Sequence, residues 1–423
     1  VPHTHSYYAA TASPAPALPQ LTGESVVDVC VIGGGIAGCS TALHLAERGY
    51  RVALLEAEEI GWGASGRSGG QALTGFASGQ QKLVKQVGAE AARRMWDITV
   101  EAVDTLMALV DRHAIACDLR PGTMLTAVKP RHRQELRESI DEARMLYGYD
   151  KLRFLEKAEV QNVLATDRYC AGVFDAGSAH LHPLNYTLGL AAAARNFGVE
   201  MFEHSRVTAI DYGDPAIVKT AHGQVRAQFV VLCCNAYIGP LSSRLRARIM
   251  PVGTYIVATE PLGEARVTAL MREDIAVSDL NFVLDYFRRS ADHRLLFGGR
   301  VSYSGLNERK VDGATRQRML RVFPQLADAR IDYTWGGYVD ITMSRAPDFG
   351  RVRDNIYYLQ GFSGHGIALA TIAGKLVAEA VRGQAERFDL FTRIKHHEFP
   401  GGRLLRTPSL VLAMLWYRLK DLL

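Results

Sequence analysis

The chain has 423 residues, of which 48% are hydrophobic and 22% charged, with a formal net charge of +5. That balance supports a sizeable core, excludes a mainly disordered protein, and suits two or three domains or one domain interrupted by another. The basic residues are not interleaved with aromatics in runs, which argues against nucleic-acid binding. No apolar run reaches the roughly 18 residues of a membrane span.

Residues 1–24 carry four prolines and read as an extended arm. Val26–Ile32 (VVDVCVI) is a short apolar run suited to a buried parallel strand. A helix is expected from Ala37 to Arg48, a second buried strand over Arg51–Leu55, and a Gly/Ser-rich loop from Gly61 to Gly70. Residues 82–113 and 131–148 show helical periodicity. Pro183–Phe197 reads as a helix with Pro in its first turn. Val199–Ile210, Ala216–Thr220 and Val225–Cys234 read as strands, and residues 250–304 are strand-rich. Arg316–Phe323 is helical, and Ile356–Leu359 is a strand followed by glycines and a helix over Gly366–Arg382. The last stretch, SLVLAMLWYRLKDLL, reads as an amphipathic helix that docks on its own chain or, less favoured, touches a membrane surface.

The fold class is therefore α/β: a discontinuous Rossmann-like domain with an inserted substrate domain on a mostly antiparallel sheet. The division expected is 25–90, 155–240 and 335–395 for the first domain and 91–154 and 241–334 for the second, with 396–423 as an extension. The six cysteines (Cys30, Cys39, Cys117, Cys170, Cys233, Cys234) form no CxxC pair, and no metal site is expected. Buried free thiols fit a reducing, cytoplasmic location. The oligomeric state is left open.

Gly33, Gly35 and Gly38 form G-x-G-x-x-G between an expected strand and an expected helix. The spacing allows a tight turn, close backbone approach to a pyrophosphate, and close helix–strand packing. Glu56 ends the second strand, where a carboxylate accepts from ribose hydroxyls and disfavours a 2′-phosphate.

Two further stretches, GASGRSGG (Gly63–Gly70) and GFSGHG (Gly361–Gly366), complete a set that resembles the D-amino-acid oxidase and sarcosine oxidase superfamily of flavoproteins. The chain is most similar to its γ-glutamylputrescine oxidases. That likeness extends through His5–Ala10, Asp118–Gly122, His182–Asn185, Leu284–Tyr286, Met343–Pro347 and Phe399–Arg403. The resemblance implies noncovalent FAD held by Gly33, Gly35, Ile36, Ala37 and Gly38, by Glu56 and Ala57, and by Ala64, Ser65, Arg67, Ser68, Gly69, Gly70 and Gln71. It adds Val207, Asn235, Ala236, Gly361, Phe362, Gly364, His365, Gly366 and Ile367. It implies oxidation of a small-molecule amine, with O2 or another electron acceptor.

His365 and Tyr286 are the candidate catalytic residues, the first near the flavin and the second lining a substrate pocket. Asp340 reads as a surface or strand-end carboxylate, with attraction of a cationic amine as the sharper alternative. Amino-acid oxidases of this superfamily carry a carboxylate-binding Arg where Val339 stands, and sarcosine oxidases a Lys where Ala368 stands. Sarcosine oxidases also attach flavin through a Cys near Ile341 and place an oxygen-promoting Lys near Leu296 or Phe297. These departures favour an amine with no carboxylate at its reactive end. The alternative is a secondary-amine or imino-acid (pipecolate-type) enzyme passing electrons to a quinone, whose signature would be a carboxylate-binding Arg288 or Arg289.

Overall fold

The computed structural model of the chain describes residues 2–281, 283–302 and 308–400, so the expected C-terminal amphipathic helix lies outside the described residues. The path begins with α1 (Tyr7–Ala10), β1 (Gly23–Ile32), α2 (Ile36–Ala46), β2 (Val52–Leu55) and β3 (Gln71–Ala72). It continues through α3 (Gln80–Val87), α4 (Ala89–Arg112), β4 (Arg120–Ala127), α5 (Pro130–Tyr147), β5 (Leu152–Glu156), α6 (Lys157–Val163) and β6 (Ala171–His180). Next come α7 (Pro183–Asn196), β7 (Glu200–Phe202), β8 (Ala209–Asp211), β9 (Ala216–Lys219) and β10 (Gly223–Leu232). The strand-rich stretch holds α8 (Ser243–Arg248), β11 (Ile249–Thr259), α9 (Glu264–Leu270), β12 (Ala276–Asp279), β13 (Tyr286–Arg289), β14 (Leu295–Ser302), α10 (Glu308–Val322) and β15 (Ile331–Thr342). The chain closes with β16 (Asp348–Arg353), β17 (Ile356–Gln360), α11 (Gly366–Val381) and α12 (Glu386–Thr392).

Among the described residues these strands form two sheets. The first has the order β16-β17-β10-β1-β2-β7, with β9 and β8 attached beside β10. Strands β17, β10, β1, β2 and β7 run parallel. Parallel strands covered on both faces need continuous apolar runs, and VALL of β2 is buried at every position. The second sheet has the order β15-β11-β14-β13-β12-β4-β6-β3, with β5 beside β6. It is mixed: β12 and β4 pair in parallel, and the other ladders are antiparallel.

Helix α2 is buried along its whole length, and its apolar composition matches a position against the first sheet, α7 and α11. Gly374 sets its distance from α11: a Cβ there would stand 2.5 Å from the Thr41 backbone nitrogen and 2.6 Å from Ser40 Oγ. Ser40 Oγ donates to the Thr371 carbonyl at 2.6 Å across the same contact.

The structure corrects several expectations. The arm over 1–24 is not simply extended: Ser6 Oγ accepts from Ala9 N and caps α1, which buries Tyr7 and Tyr8. These tyrosines pack with Leu184, Ile256, Leu296 and Trp335 in the seam beneath the second sheet. The run 82–113 is broken into α3 and α4 by Gly88, whose φ is +85°. The expected strand Val199–Ile210 is two strands, because His204 turns with φ +51°. His204 N and Ser205 N then donate to the carbonyls of Glu58 and Glu56.

Segment 91–113, placed with the substrate domain on sequence, carries an apolar stripe of Met95, Ile98, Ala102, Leu106 and Leu109 into the core shared with α2 and α11. Strand β6 lies in the second sheet although 155–240 reads as first-domain sequence. No helix among the described residues is long and apolar enough to cross a membrane.

Because the atoms facing Gly374 are largely backbone, Gly374→Ala forces α2 and α11 apart. The expected cost is about 1–3 kcal/mol, read as a lower urea midpoint with unchanged slope. An unchanged midpoint would show that the two helices separate freely.

Candidate functional site

The parallel sheet changes winding direction at β1, which has β2 on one side and β10 on the other. A crevice opens beyond the carboxyl ends of strands at such a point. The glycine turn after β1, Glu56 after β2, Asn235 after β10 and Gly361 after β17 all stand on this edge.

Gly33 adopts φ +111°, and a Cβ there would meet the Cys233 carbonyl at 2.6 Å. At Gly38 a Cβ would lie 1.8 Å from the Gly33 carbonyl, so the first turn of α2, with Ile36 and Ala37, sits directly on the end of β1. Glu56 accepts from Gly34 N at 2.6 Å and from Glu58 N at 2.9 Å. Burial raises its pKa, and these N–H groups partly offset the rise. Ala57 follows it, and Val207 lies just beyond His204 and Ser205, whose N–H groups donate to the carbonyls of Glu58 and Glu56.

The second loop docks onto the first. Ser65 Oγ, in a single turn over Ala64–Gly66, accepts from Ile36 N at 3.0 Å. A Cβ at Gly35 would stand 2.7 Å from that same oxygen, so backbone lines this cradle. Arg67 lies over the Trp62 ring, 4.3 Å from its centroid, and donates to the carbonyls of Trp62 and Gly336. Gly69 packs against Tyr286, and Leu181 N donates to Gly70 O at 2.8 Å. Gln71 then enters β3 and donates to Val277 O, tying the loop to the second sheet.

The third segment is the turn before α11, with positive φ at Gly361 (+77°), Ser363 (+52°) and Gly364 (+94°). Phe362 is buried, and His365 is the N-cap residue of α11, without a side-chain cap bond. The N–H groups of the first turn, from Gly366 and Ile367 onward, are therefore open to an acceptor. Burial, then the nearby Arg345 charge, pushes the His365 pKa down to about 4. Asp340, read as a surface or strand-end carboxylate, is 1% exposed and accepts from Gly361 N and Phe362 N.

Tyr286 stands between the two units. A Cβ at Gly298 would meet its ring at 2.2 Å, and one at Gly69 would meet it at 2.8 Å. Burial raises its phenol pKa. Arg288 and Arg289 are already engaged. Arg288 donates to Gly69 O, Leu181 O, Arg289 O and Tyr8 Oη, and Arg289 donates to Thr268 Oγ1 beside Asp274. Arg288 is therefore no unengaged carboxylate clamp of the kind the imino-acid alternative needs, and Arg289 stands 3.7 Å from the Asp274 carboxylate. Sequence reasoning missed Tyr237, whose ring lies over Gly63 and meets Trp62 edge-on at 5.5 Å. Its place directly after Asn235-Ala236 was the available signal.

An FAD cofactor passes the test of fit. Among the described residues, Ser68 Oγ and Asn235 Oδ1 are buried without a hydrogen-bond partner, and both face this edge from segments singled out for cofactor contact. Buried polar atoms without partners need a ligand or water. With the glycine cradle and the start of α11, which has no side-chain cap, they supply donors and acceptors for a dinucleotide.

The model of the family of FAD dependent oxidoreductases (DAO) matches residues 28–380, and the chain belongs to that family. It is 41% identical over 420 residues to gamma-glutamylputrescine oxidoreductase of Escherichia coli K12, covering 99% of this chain and 98% of that protein. It is 40% identical over 424 residues to the probable oxidoreductase OrdL of Haemophilus influenzae, covering 99% and 97%. Among solved structures, glycine oxidase of Geobacillus kaustophilus superposes with a TM-score of 0.74 at 22% identity, covering 88% of this chain and 99% of that one. L-proline dehydrogenase of P. horikoshii superposes with a TM-score of 0.71 at 21% identity, covering 88% and 98%. These two likenesses establish the shared fold.

Gly38→Ala places a methyl group on the Gly33 carbonyl. The purified variant is expected to lose its FAD, with at least about a tenfold weaker Kd. FAD retained at wild-type stoichiometry would contradict the packing role of this glycine.

Proposed function

We propose that this FAD-dependent oxidoreductase oxidises a γ-glutamylated amine of the γ-glutamylputrescine type at the carbon beside its free amino group. The observation that carries the reading is the 41% identity to gamma-glutamylputrescine oxidoreductase along 99% of this chain. FAD, when bound, supplies an acceptor for the hydride equivalent removed from that carbon. The resulting imine is hydrolysed by water to an aldehyde and ammonia.

The chain's own residues bind, orient and exclude water. Gly33, Gly35, Ile36, Ala37 and Gly38 would hold the pyrophosphate of FAD, and Glu56, Ala57 and the Val207 loop its adenosine. The loop Ala64–Gln71 and Asn235–Ala236 would hold the rest of the cofactor. Gly361, Phe362, Gly364, His365, Gly366 and Ile367 would offer it the start of α11, where N–H groups favour negative charge. Tyr286 walls the substrate side. The amine must react in its neutral form, and an apolar wall lowers its pKa by desolvation, so no dedicated strong base is required.

Val339 and Ala368 offer no charge to a substrate carboxylate at the reactive end, which supports an amine lacking one there. The engaged state of Arg288 weighs against the imino-acid reading. Oxygen is the acceptor we favour. Leu296 packs with Tyr8 and Trp335, and Phe297 stacks on Phe287 at 5.7 Å, so neither of these two β14 positions brings a cation to assist it.

Steady-state kinetics test the substrate class. The kcat/KM for γ-glutamylputrescine is expected to exceed that for glycine or proline by about 100-fold or more, equivalent to about 2.7 kcal/mol of transition-state discrimination. Faster turnover of glycine or proline would reverse the assignment. His365 contributes no charge change near neutrality, because its depressed pKa keeps the imidazole neutral above about pH 5. The kcat/KM–pH profile of His365→Asn is therefore expected to keep the wild-type limbs. Loss of a limb between about pH 6 and 7 in the variant would contradict a neutral His365.

A further inference from the structure

We propose that Asp340 is a positioning residue for the cofactor: it holds the 361–364 turn, and through it the direction in which the first turn of α11 points. The inference rests on the placement of FAD at that turn and is independent of which amine is the substrate.

The turn needs a restraint. Three of its four residues have positive φ, and Ser363 takes that conformation with a side chain present. Such backbone costs about 1–3 kcal/mol at a non-glycine residue and persists only where the surroundings impose it. Here the surroundings are the last three residues of β15. The Asp340 carboxylate accepts from Gly361 N and Phe362 N, while its backbone carbonyl accepts from Ser363 N at 3.0 Å. Thr342 N donates to Ser363 Oγ at 3.3 Å, and that hydroxyl donates to Gly361 O at 3.2 Å. A Cβ at Gly361 would strike the Thr342 methyl at 2.5 Å, so the turn lies flat against the strand.

The carboxylate also has no cation among its neighbours in the described residues: backbone N–H groups and Asp348 surround it. A fully buried carboxylate without a counter-ion is expensive. A plain strut would be served as well by a neutral side chain. The acidic group suits a task in which two N–H donors must be held together, since an ionised carboxylate accepts from both and presents no donor of its own. Burial raises its pKa to about 7, and the Gly361 and Phe362 N–H groups oppose that rise by favouring the ionised form. The strand that carries Asp340 also forms the edge of the second sheet, beside β11. The restraint therefore joins the sheet that covers the substrate side to the helix start on the cofactor side.

The test uses purified holoenzyme carrying Asp340→Asn and, separately, Ser363→Ala. FAD Kd is measured from fluorescence of cofactor released on dilution, alongside the flavin absorption spectrum and far-UV circular dichroism. The carboxamide keeps one acceptor and turns a donor toward the second N–H. FAD Kd is expected to rise about tenfold or more, with an altered flavin band and wild-type circular dichroism. Ser363→Ala is expected to shift Kd and spectrum in the same direction by a smaller factor, about threefold. If Asp340→Asn fails to fold, a weakened and spectrally altered Ser363→Ala still supports the positioning role. Wild-type Kd and spectrum in Ser363→Ala, combined with either wild-type behaviour or unfolding of Asp340→Asn, would reduce Asp340 to a structural strut and overturn the proposal. None of these readouts requires substrate, so a failure of the γ-glutamylputrescine assignment leaves the result interpretable.

Discussion

The close contact between α2 and α11 is the constraint on which the site depends. With no side chain at Gly374, the backbone at Ser40–Thr41 approaches to near van der Waals distance, and Ser40 bonds the Thr371 carbonyl across the gap. These are the two helices whose N-termini open onto the carboxyl edge of the parallel sheet. Locking them side by side fixes the spacing of two regions of partial positive charge before any ligand arrives. Such preorganisation removes the cost of assembling donors during binding or reaction.

The second sheet is attached to this platform by few but well-buried links. Arg288 spans the seam, bonding Gly69 and Leu181 on one side and Tyr8 on the other. Gln71 follows the Gly61–Gly70 loop and pairs directly with His180 of β6. Strand β15 ends against the 361–364 turn through Asp340 and Thr342. Each link joins a backbone segment of the cofactor edge to the substrate-side sheet, so the two surfaces that meet at Tyr286 are held in one geometry.

What could be read from the amino-acid sequence divides along a physical line. The turn at Gly33–Gly38 was legible because close backbone approach is written into residue type, and the loop to Gly70 and the GFSGHG run because they resemble family motifs. The buried strands and α7 were legible because an apolar run or a proline in the first turn is a local signal. The buried α1 was not, because four residues carry no periodicity and its partners Leu184 and Trp335 are remote in sequence. Arg288 read as an available clamp, yet its engagement depends on Tyr8, 280 residues away. Asp340 read as peripheral for the same reason: a strand end is exposed or buried according to what folds over it. The break of the expected strand at His204 came from competition, since the carbonyls after β2 capture its amides.

The central claim is that this family fold is tuned to an amine bearing no carboxylate at its reactive end. An anaerobic absorbance titration of the purified protein with γ-glutamylputrescine, followed by admission of air, tests it most directly. The account predicts stoichiometric loss of the flavin band near ~450 nm and its recovery in air. A flavin band that persists through excess γ-glutamylputrescine, in a preparation with FAD fully bound, would contradict it.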